Sequence, residues 1–339
     1  MSKEKSGSED IRITSSKPKT NNFKKRAKRL KSNSRLNNRT AVLWSVDKDM
    51  AFQPFERQRK DLDIASLVSF LKDSKTARQM IFNADDEMRA DIMFDEQTIV
   101  SQYYPAHNLI TLNPDRPKAE LACVLVKEMR RAWQYETGNL HNPLDFDPDE
   151  AILINRAQQA DALMVAIRVA WELKLLGQDQ MWNFMIGAPF ADVTRTFEIH
   201  AKNDFRSLND GRAGRAAYDK WFEEQRKGIH DKRVIHQMLL EDSGASEKGR
   251  NTVKRLTDQM MARMADMPGG RNYLTISGHR SPMHAEYMEV EDRSNANFLW
   301  FVKFERNFQE HEEQLLEESV QLSGEVVDFS SRMMELRRK

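Results

Sequence analysis

Residues 119–136 read Ala-Glu-Leu-Ala-Cys-Val-Leu-Val-Lys-Glu-Met-Arg-Arg-Ala-Trp-Gln-Tyr-Glu. Pro114 and Pro117 precede this stretch, and Thr137-Gly138-Asn139 follows it. Proline before a helical run and glycine after it are common helix boundaries. The sequence therefore predicts a long helix from about Lys118 to about Tyr135.

The middle of this helix carries a charged motif, Lys127-Glu128-Met129-Arg130-Arg131. Zinc hydrolases with a motif helix use His-Glu-x-x-His, because histidines four residues apart bring both imidazoles to one Zn²⁺ and the glutamate takes a proton from metal-bound water. Here the glutamate is present, and cations occupy both histidine positions. Protonated Lys and Arg cannot ligate zinc. Alone, Lys-Glu-x-x-Arg is a common solvated helix face, so the interpretation depends on the surrounding sequence.

The sequence on either side predicts a small sheet and a second long helix. Between Ala90 and Pro114, β-branched and aromatic residues cluster around a turn at 105–108, which indicates two or three short strands. From Glu150 to about Leu176, apolar residues recur at helical spacing, and Gly177 is a candidate C-cap. Further helices are predicted at 64–71, 76–83, 190–201, 216–226 and 230–240, with a flexible joint at 243–250 and an amphipathic stretch at 252–267.

The order of these elements and several short stretches resemble the zincin-like metallopeptidase domains of uncharacterised bacterial proteins. The resemblance covers roughly residues 60–275. The stretches that carry it are Leu109-Ile-Thr-Leu-Asn-Pro114, Ala132-Trp133-Gln134, Asn155-Arg-Ala-Gln-Gln-Ala-Asp-Ala162, Ala170-Trp-Glu-Leu173, Tyr218-Asp219 and Asn272-Tyr273-Leu274. The resemblance implies an α+β, predominantly helical, zincin-like fold with a small sheet beside the active-site helix.

The resemblance also implies roles for individual residues. Glu128 matches the general base, and Lys127 and Arg131 match the two histidine ligands. Gln159 or Asp161 matches the acidic third ligand, which the second long helix supplies. An edge strand of the sheet is expected beside the substrate cleft.

These substitutions favour an ion-pair cluster over a metal site. Glu128 and Asp161 can neutralise the cations at 127 and 131, and such pairing fixes the register of two helices at little net gain or loss in stability. We therefore expect a pseudoenzyme that needs no cofactor and acts as a binding or structural module. The alternative is an active metal-dependent peptidase, in which Glu128 works with zinc held by atypical ligands such as Asp161.

Other catalytic chemistry has little support in the sequence. None of the eight histidines forms a pair on one helical face, and no phosphate loop, dinucleotide-binding glycine motif or Gly-x-Ser-x-Gly elbow is present. The single cysteine, Cys123, fits a small buried apolar residue and permits no intrachain disulfide. With no apolar run of membrane-spanning length, the sequence predicts a cytoplasmic protein.

The N-terminal 40 residues form a separate basic region. They carry thirteen Lys and Arg against three acidic residues, whereas the whole chain has a net charge of +1. Few large apolar side chains occur there, so residues 1–40 are predicted to be a disordered basic arm. A cluster within the arm could bind nucleic acid or another anionic surface, or serve only for solubility. Its residues are Lys24, Lys25, Arg26, Lys28, Arg29 and Lys31.

The C-terminal region, residues 276–339, is predicted to be an amphipathic helical extension of a zincin-like domain at 41–275. Its main helix should run from Arg293 to Arg338, with a break near Ser323-Gly324. A stripe of four phenylalanines, at 298, 301, 304 and 308, packs either on its own domain or on a protein partner or second copy. A third function class follows, in which the chain is a nucleic-acid-associated or assembly protein that uses the arm and this helix.

Overall fold

The structure is a computed structural model that describes residues 63–223, 226–244, 254–308, 311, 314 and 315. Helices dominate these residues. Their bounds are α1 Ile64–Leu71, α2 Lys75–Ile81, α3 Lys118–Glu136, α4 Pro148–Leu175, α5 Gln180–Gly187, α6 Ala191–Asn203, α7 Ser207–Asp210, α8 Arg212–Trp221, α9 Lys227–Gly244, α10 Asp258–Met264, α11 Ala285–Met288 and α12, which includes residues 293–308. The strands are β1 Asp91–Phe94, β2 Gln102–Tyr104, β3 Leu109–Leu112, β4 Asp266–Met267 and β5 Arg271–Asn272.

A three-stranded sheet packs against α3. Its order is β1-β3-β2, with β3 parallel to β1 and antiparallel to β2. All four residues of β3 are buried, as expected for a central strand with a helix on one face. The strand β2 therefore lies at an edge of the sheet, and α3 contacts both β2 and β3.

Local sequence explains where α3 and α4 end. Gly138 adopts a left-handed conformation with φ of +72°, and the N–H of Asn139 donates to the carbonyl of Gln134 at 2.7 Å. Gly177 repeats this arrangement with φ of +82°, where Gln178 N–H donates to the carbonyl of Leu173 at 2.9 Å. These are Schellman motifs, in which glycine takes the left-handed position at the least steric cost.

The helix α4 is the centre of the core. Residues on every side of it are buried, and it contacts α3, α5, α8 and α9. A helix that is buried all round must either be apolar throughout or pair each polar side chain internally. This helix does the second, since Arg156, Gln159 and Asp161 are each less than 5% exposed.

The expected α+β, predominantly helical architecture with a small sheet is confirmed. The two long helices lie within two residues of their expected ends, and the three strands β1, β2 and β3 lie inside the predicted β region. The sequence missed α5, the short helices α7 and α11, and the β4–β5 hairpin. Within the amphipathic stretch predicted at 252–267, the helix α10 covers Asp258–Met264. That helix ends at Met264, because Asn272 donates to the carbonyl of Ala262 and to the Asp266 carboxylate, which holds a hairpin in place of another helical turn. The helix α9 continues to Gly244, into the first residues of the predicted joint.

Several predictions fall outside the described residues. They are the basic arm with its cluster at Lys24–Lys31, most of the 243–250 joint, and the end of the C-terminal helix with the break at Ser323-Gly324. Within the described ranges, no helix has both the length and the apolar composition needed to cross a bilayer.

Candidate functional site

The motif residues lie on the part of α3 that is enclosed by the sheet and α4. Lys127 is 3% exposed, and Glu128 and Arg131 are each 2% exposed. A charged side chain is almost never buried without a partner, because removing an ion from water is costly. The motif is therefore an internal polar site and not a solvated helix face.

Glu128 is held from two sides. Its Oε2 atom accepts the backbone N–H of Tyr103, on the edge strand β2, at 2.8 Å. Its Oε1 atom forms an ion pair with Arg131, one turn later on the same helix. Arg131 also donates from Nη2 to Oε1 of Gln159 on α4, at 2.9 Å. We call Tyr103, Glu128, Arg131 and Gln159 the Glu128 cluster.

A second cluster begins at the neighbouring residue, Arg130. Its Nε and Nη2 atoms donate to the two carboxylate oxygens of Asp161 at 2.7 and 3.0 Å, a bidentate pair. Gln134 donates to Asp161 at 2.8 Å, and the hydroxyl of Tyr273 donates to it at 2.6 Å. We call Arg130, Gln134, Asp161 and Tyr273 the Asp161 cluster.

The guanidinium of Arg130 also connects the Asp161 cluster to the chain after α10. Its Nη2 atom donates to the carbonyl of Met264 at 2.8 Å, and its Nη1 atom donates to the carbonyl of Asp266 at 2.7 Å. Burial, together with the negative charge of Asp161, raises the pKa of Tyr273 well above its usual value. The phenol therefore stays protonated and remains a donor to Asp161.

The placement of the candidate residues sharpens the sequence interpretation. Glu128, Arg131 and Gln159 are in direct contact, so Gln159 is the third-ligand candidate that shares a cluster with the motif. Asp161 was expected to neutralise the cations at 127 and 131, but its carboxylate instead forms the bidentate pair with Arg130. The reason is helix geometry, since Arg130 and Arg131 point in directions about 100° apart on α3.

The sequence assigned no role to four residues that complete the two clusters, namely Tyr103, Arg130, Gln134 and Tyr273. A backbone donor such as the Tyr103 N–H carries no signal in the sequence. Gln134 and Tyr273, in contrast, lie in the short stretches Ala132-Trp133-Gln134 and Asn272-Tyr273-Leu274, which are among those that carry the family resemblance.

The donor set of the Glu128 cluster does not fit zinc. The positions that zinc ligands would occupy hold Lys127 and Arg131, and a guanidinium offers no lone pair to a metal. Gln159 provides only a neutral amide oxygen, which already accepts a hydrogen bond from Arg131. Among the residues that the structure describes, no group of three or more His, Cys, Asp and Glu side chains could hold a metal ion.

An open cleft of about 730 Å³ lies beside the C-terminal end of α3 and not at Glu128. Trp133 lines this cleft, and the guanidinium of Arg130 lies 4.8 Å from the centre of its ring. The lining also includes Arg89, Asn139, Asp266 and Met267. Glu128, Arg131 and Gln159 do not line it, so the motif does not face this cleft.

Comparison with known proteins gives one match. A family model described as "Putative metallopeptidase family (DUF6782)" matches residues 44–275, which is more than half of the chain. No curated protein and no solved structure matches the chain.

Proposed function

We propose that this chain, which belongs to the putative metallopeptidase family DUF6782, is a zincin-like pseudoenzyme that acts as a binding or structural module without zinc. The family membership supports a body built around a peptidase motif helix. The chemistry of the motif supports the loss of hydrolysis.

The observation that carries the proposal is that the Glu128 carboxylate is buried and both of its oxygens are already bound. One oxygen accepts a backbone N–H from β2, the other pairs with Arg131, and the side chain is 2% exposed. A general base has to reach a water molecule beside the substrate and accept its proton. An enclosed carboxylate that is already bound to a guanidinium and an amide is poorly suited to this task.

An active enzyme with atypical ligands has less support. Asp161 was the best substitute ligand, and its two oxygens accept four hydrogen bonds, from Arg130, Gln134 and Tyr273. Opening Asp161 to a metal would leave Arg130 buried and unpaired, at a cost of several kcal/mol. We therefore assign no cofactor to the Glu128 cluster.

Metal content tests the proposal directly. The purified full chain is incubated with Zn²⁺, passed over a desalting column and measured by mass spectrometry of the metal. We expect less than about 0.1 zinc per chain, because the part of the chain that the structure describes contains no ligand set of the required kind. About one tightly held zinc per chain would overturn the proposal.

A ligand-restoring variant tests the zincin-like scaffold separately. The triple substitution K127H/R131H/Q159E places two imidazoles four residues apart on α3 and a carboxylate on α4, and we expect it to bind about one zinc. The matched control is K232H, which completes a pair with the exposed His236 on α9 but adds no third ligand. If the triple variant folds and binds no more zinc than the control, the zincin-like geometry is wrong. The proposal that the wild-type chain has lost zinc and hydrolysis would not be affected by that result.

The remaining parts of the chain carry separate proposals. The domain boundaries at 40 and 275 and a cytoplasmic location stay predictions from the sequence. Anion binding by the basic arm is also a proposal, and deleting residues 1–40 while titrating duplex DNA against salt tests it. Binding that is unchanged by the deletion would exclude the arm as a nucleic-acid site.

A further inference from the structure

The helix α12 has two unlike faces. Asn295, Leu299 and Val302 are buried on one face, where the two apolar residues join a small core cluster with residues of α4 and α9. The other side exposes five large aromatic residues, each between 45% and 64% exposed. They are Phe298, Trp300, Phe301, Phe304 and Phe308, and we call them the aromatic face.

The aromatic face is organised as a packing surface. The rings of Trp300 and Phe304 are stacked, with their centres 5.4 Å apart and their planes 18° apart. Single exposed apolar side chains are common on proteins, but a contiguous group of aromatic residues on one helix marks an interaction site.

Given the usual surface area of an aromatic side chain, five half-exposed aromatic residues offer roughly 500 Å² of surface per chain. Two copies would together bury about 1,000 Å², which is the lower limit expected for a biological interface. A second copy is thus sufficient to cover the face, without any additional partner.

The spacing of the apolar residues indicates that another helix is the occupant. Phe301, Phe308 and Leu315 are seven residues apart, and all three are exposed. The sequence continues the same spacing at Leu322, Phe329 and Leu336, outside the described residues. An interval of seven residues places these apolar side chains along one side of the helix, where a second helix can contact them.

The charge of the same region disfavours an anionic membrane surface as the occupant. Six glutamates lie between 305 and 318, against Arg306 as the one Lys or Arg. An acidic segment next to the aromatic face would be repelled by anionic lipid. From these observations we infer that the aromatic face is a self-association surface, and that two copies of the chain pack through α12. This inference is independent of the proposed loss of zinc.

Sedimentation velocity of the full chain over a range of concentrations tests the inference. We expect the wild type to sediment as a dimer at micromolar concentration and F301E/F308E to sediment as a monomer, with a dissociation constant raised by more than about 100-fold. The matched control is F205E, which changes a phenylalanine that is 63% exposed before α7 and should leave the dimer intact. Circular dichroism should show the same helix content in all three proteins.

Salt and a second variant complete the test. Raising the salt concentration should tighten the dimer, because it screens repulsion between the acidic segments of the two copies. If F301E/F308E fails to fold, W300Q/F304Q alters the same face at different positions. A wild type that stays monomeric at about 100 μM, far above a micromolar dissociation constant, would overturn the inference. A dimer that persists in a folded variant would also overturn it, and so would a monomer that binds phosphatidylglycerol vesicles through this face.

Discussion

The Glu128 cluster and the Asp161 cluster each contain one of two adjacent arginines, but these arginines connect different parts of the chain. Arg131 pairs with a carboxylate one turn away on its own helix and reaches one amide on α4. Arg130 makes a bidentate pair with Asp161 on α4 and donates to two backbone carbonyls, one in the last residue of α10 and one just after it. The first arginine fills a site inside the fold, whereas the second connects three segments of the chain.

The pattern of the Asp161 cluster recurs elsewhere in the described residues. Arg156 pairs with both oxygens of Asp231 and donates to the carbonyls of Tyr287 and Glu289. Arg215 binds Asp219 and donates to the carbonyls of Leu274 and Arg280. Three arginines on α3, α4 and α8 thus hold the largely irregular segment 264–289 against the helical core. The Glu128 cluster lacks these bonds to that segment.

The largest effect is expected from Arg130→Met. This substitution leaves the Asp161 charge buried and frees the carbonyls of Met264 and Asp266, which should lower the free energy of unfolding by about 3–5 kcal/mol. Urea denaturation monitored by circular dichroism measures the loss. The double variant R130M/D161L should recover part of it, because removing a buried pair entirely costs less than removing one partner. A loss below about 1 kcal/mol in the single variant would contradict a connecting role for Arg130.

A smaller effect is expected from Arg131→Met. The substitution leaves the Glu128 charge buried, but Glu128 keeps the backbone N–H of Tyr103 and no loop carbonyl loses a donor. We therefore expect a loss at the lower end of the same range, about 3 kcal/mol, in the same urea experiment. R131M/E128Q is the corresponding double variant. If R131M lowers the free energy of unfolding as much as R130M or more, the proposed difference between the two clusters is wrong.

The smallest effect is expected from Tyr273→Phe. The substitution keeps the buried ring and removes one hydrogen bond to Asp161, which should cost about 1–2 kcal/mol. Tyr135→Phe is a suitable control, because Tyr135 is 49% exposed and its loss should fall within about 0.5 kcal/mol of zero. If the two variants lose the same free energy of unfolding, the hydrogen bond from Tyr273 to Asp161 does not stabilise the fold.

The sequence predicted the parts of the fold that local patterns determine. The long helices have apolar residues at helical spacing and are followed by the capping residues Gly138 and Gly177, so their positions followed from neighbouring residues alone. The hairpin of β4 and β5 is only two residues long on each side, and it depends on contacts from Asn272 to residues six and ten positions earlier. Such contacts leave no periodic signal.

The candidate site was predicted in part for a similar reason. Helical spacing places Glu128 and Arg131 on neighbouring turns, so their contact could be anticipated. Arg130 contacts Asp161 and Arg131 contacts Gln159 because of the relative rotation of α3 and α4. That rotation is decided by packing across the whole core, which a single sequence does not express.

The contact between Glu128 and β2 has a further consequence for solubility. An edge strand presents unpaired backbone groups, and another chain can pair with them and start aggregation. Here β2 is an edge strand only three residues long, and the N–H at its centre is already bound by a buried carboxylate. Glu128 thereby protects the open side of the sheet against strand addition, so this glutamate has a use that does not depend on hydrolysing any bond.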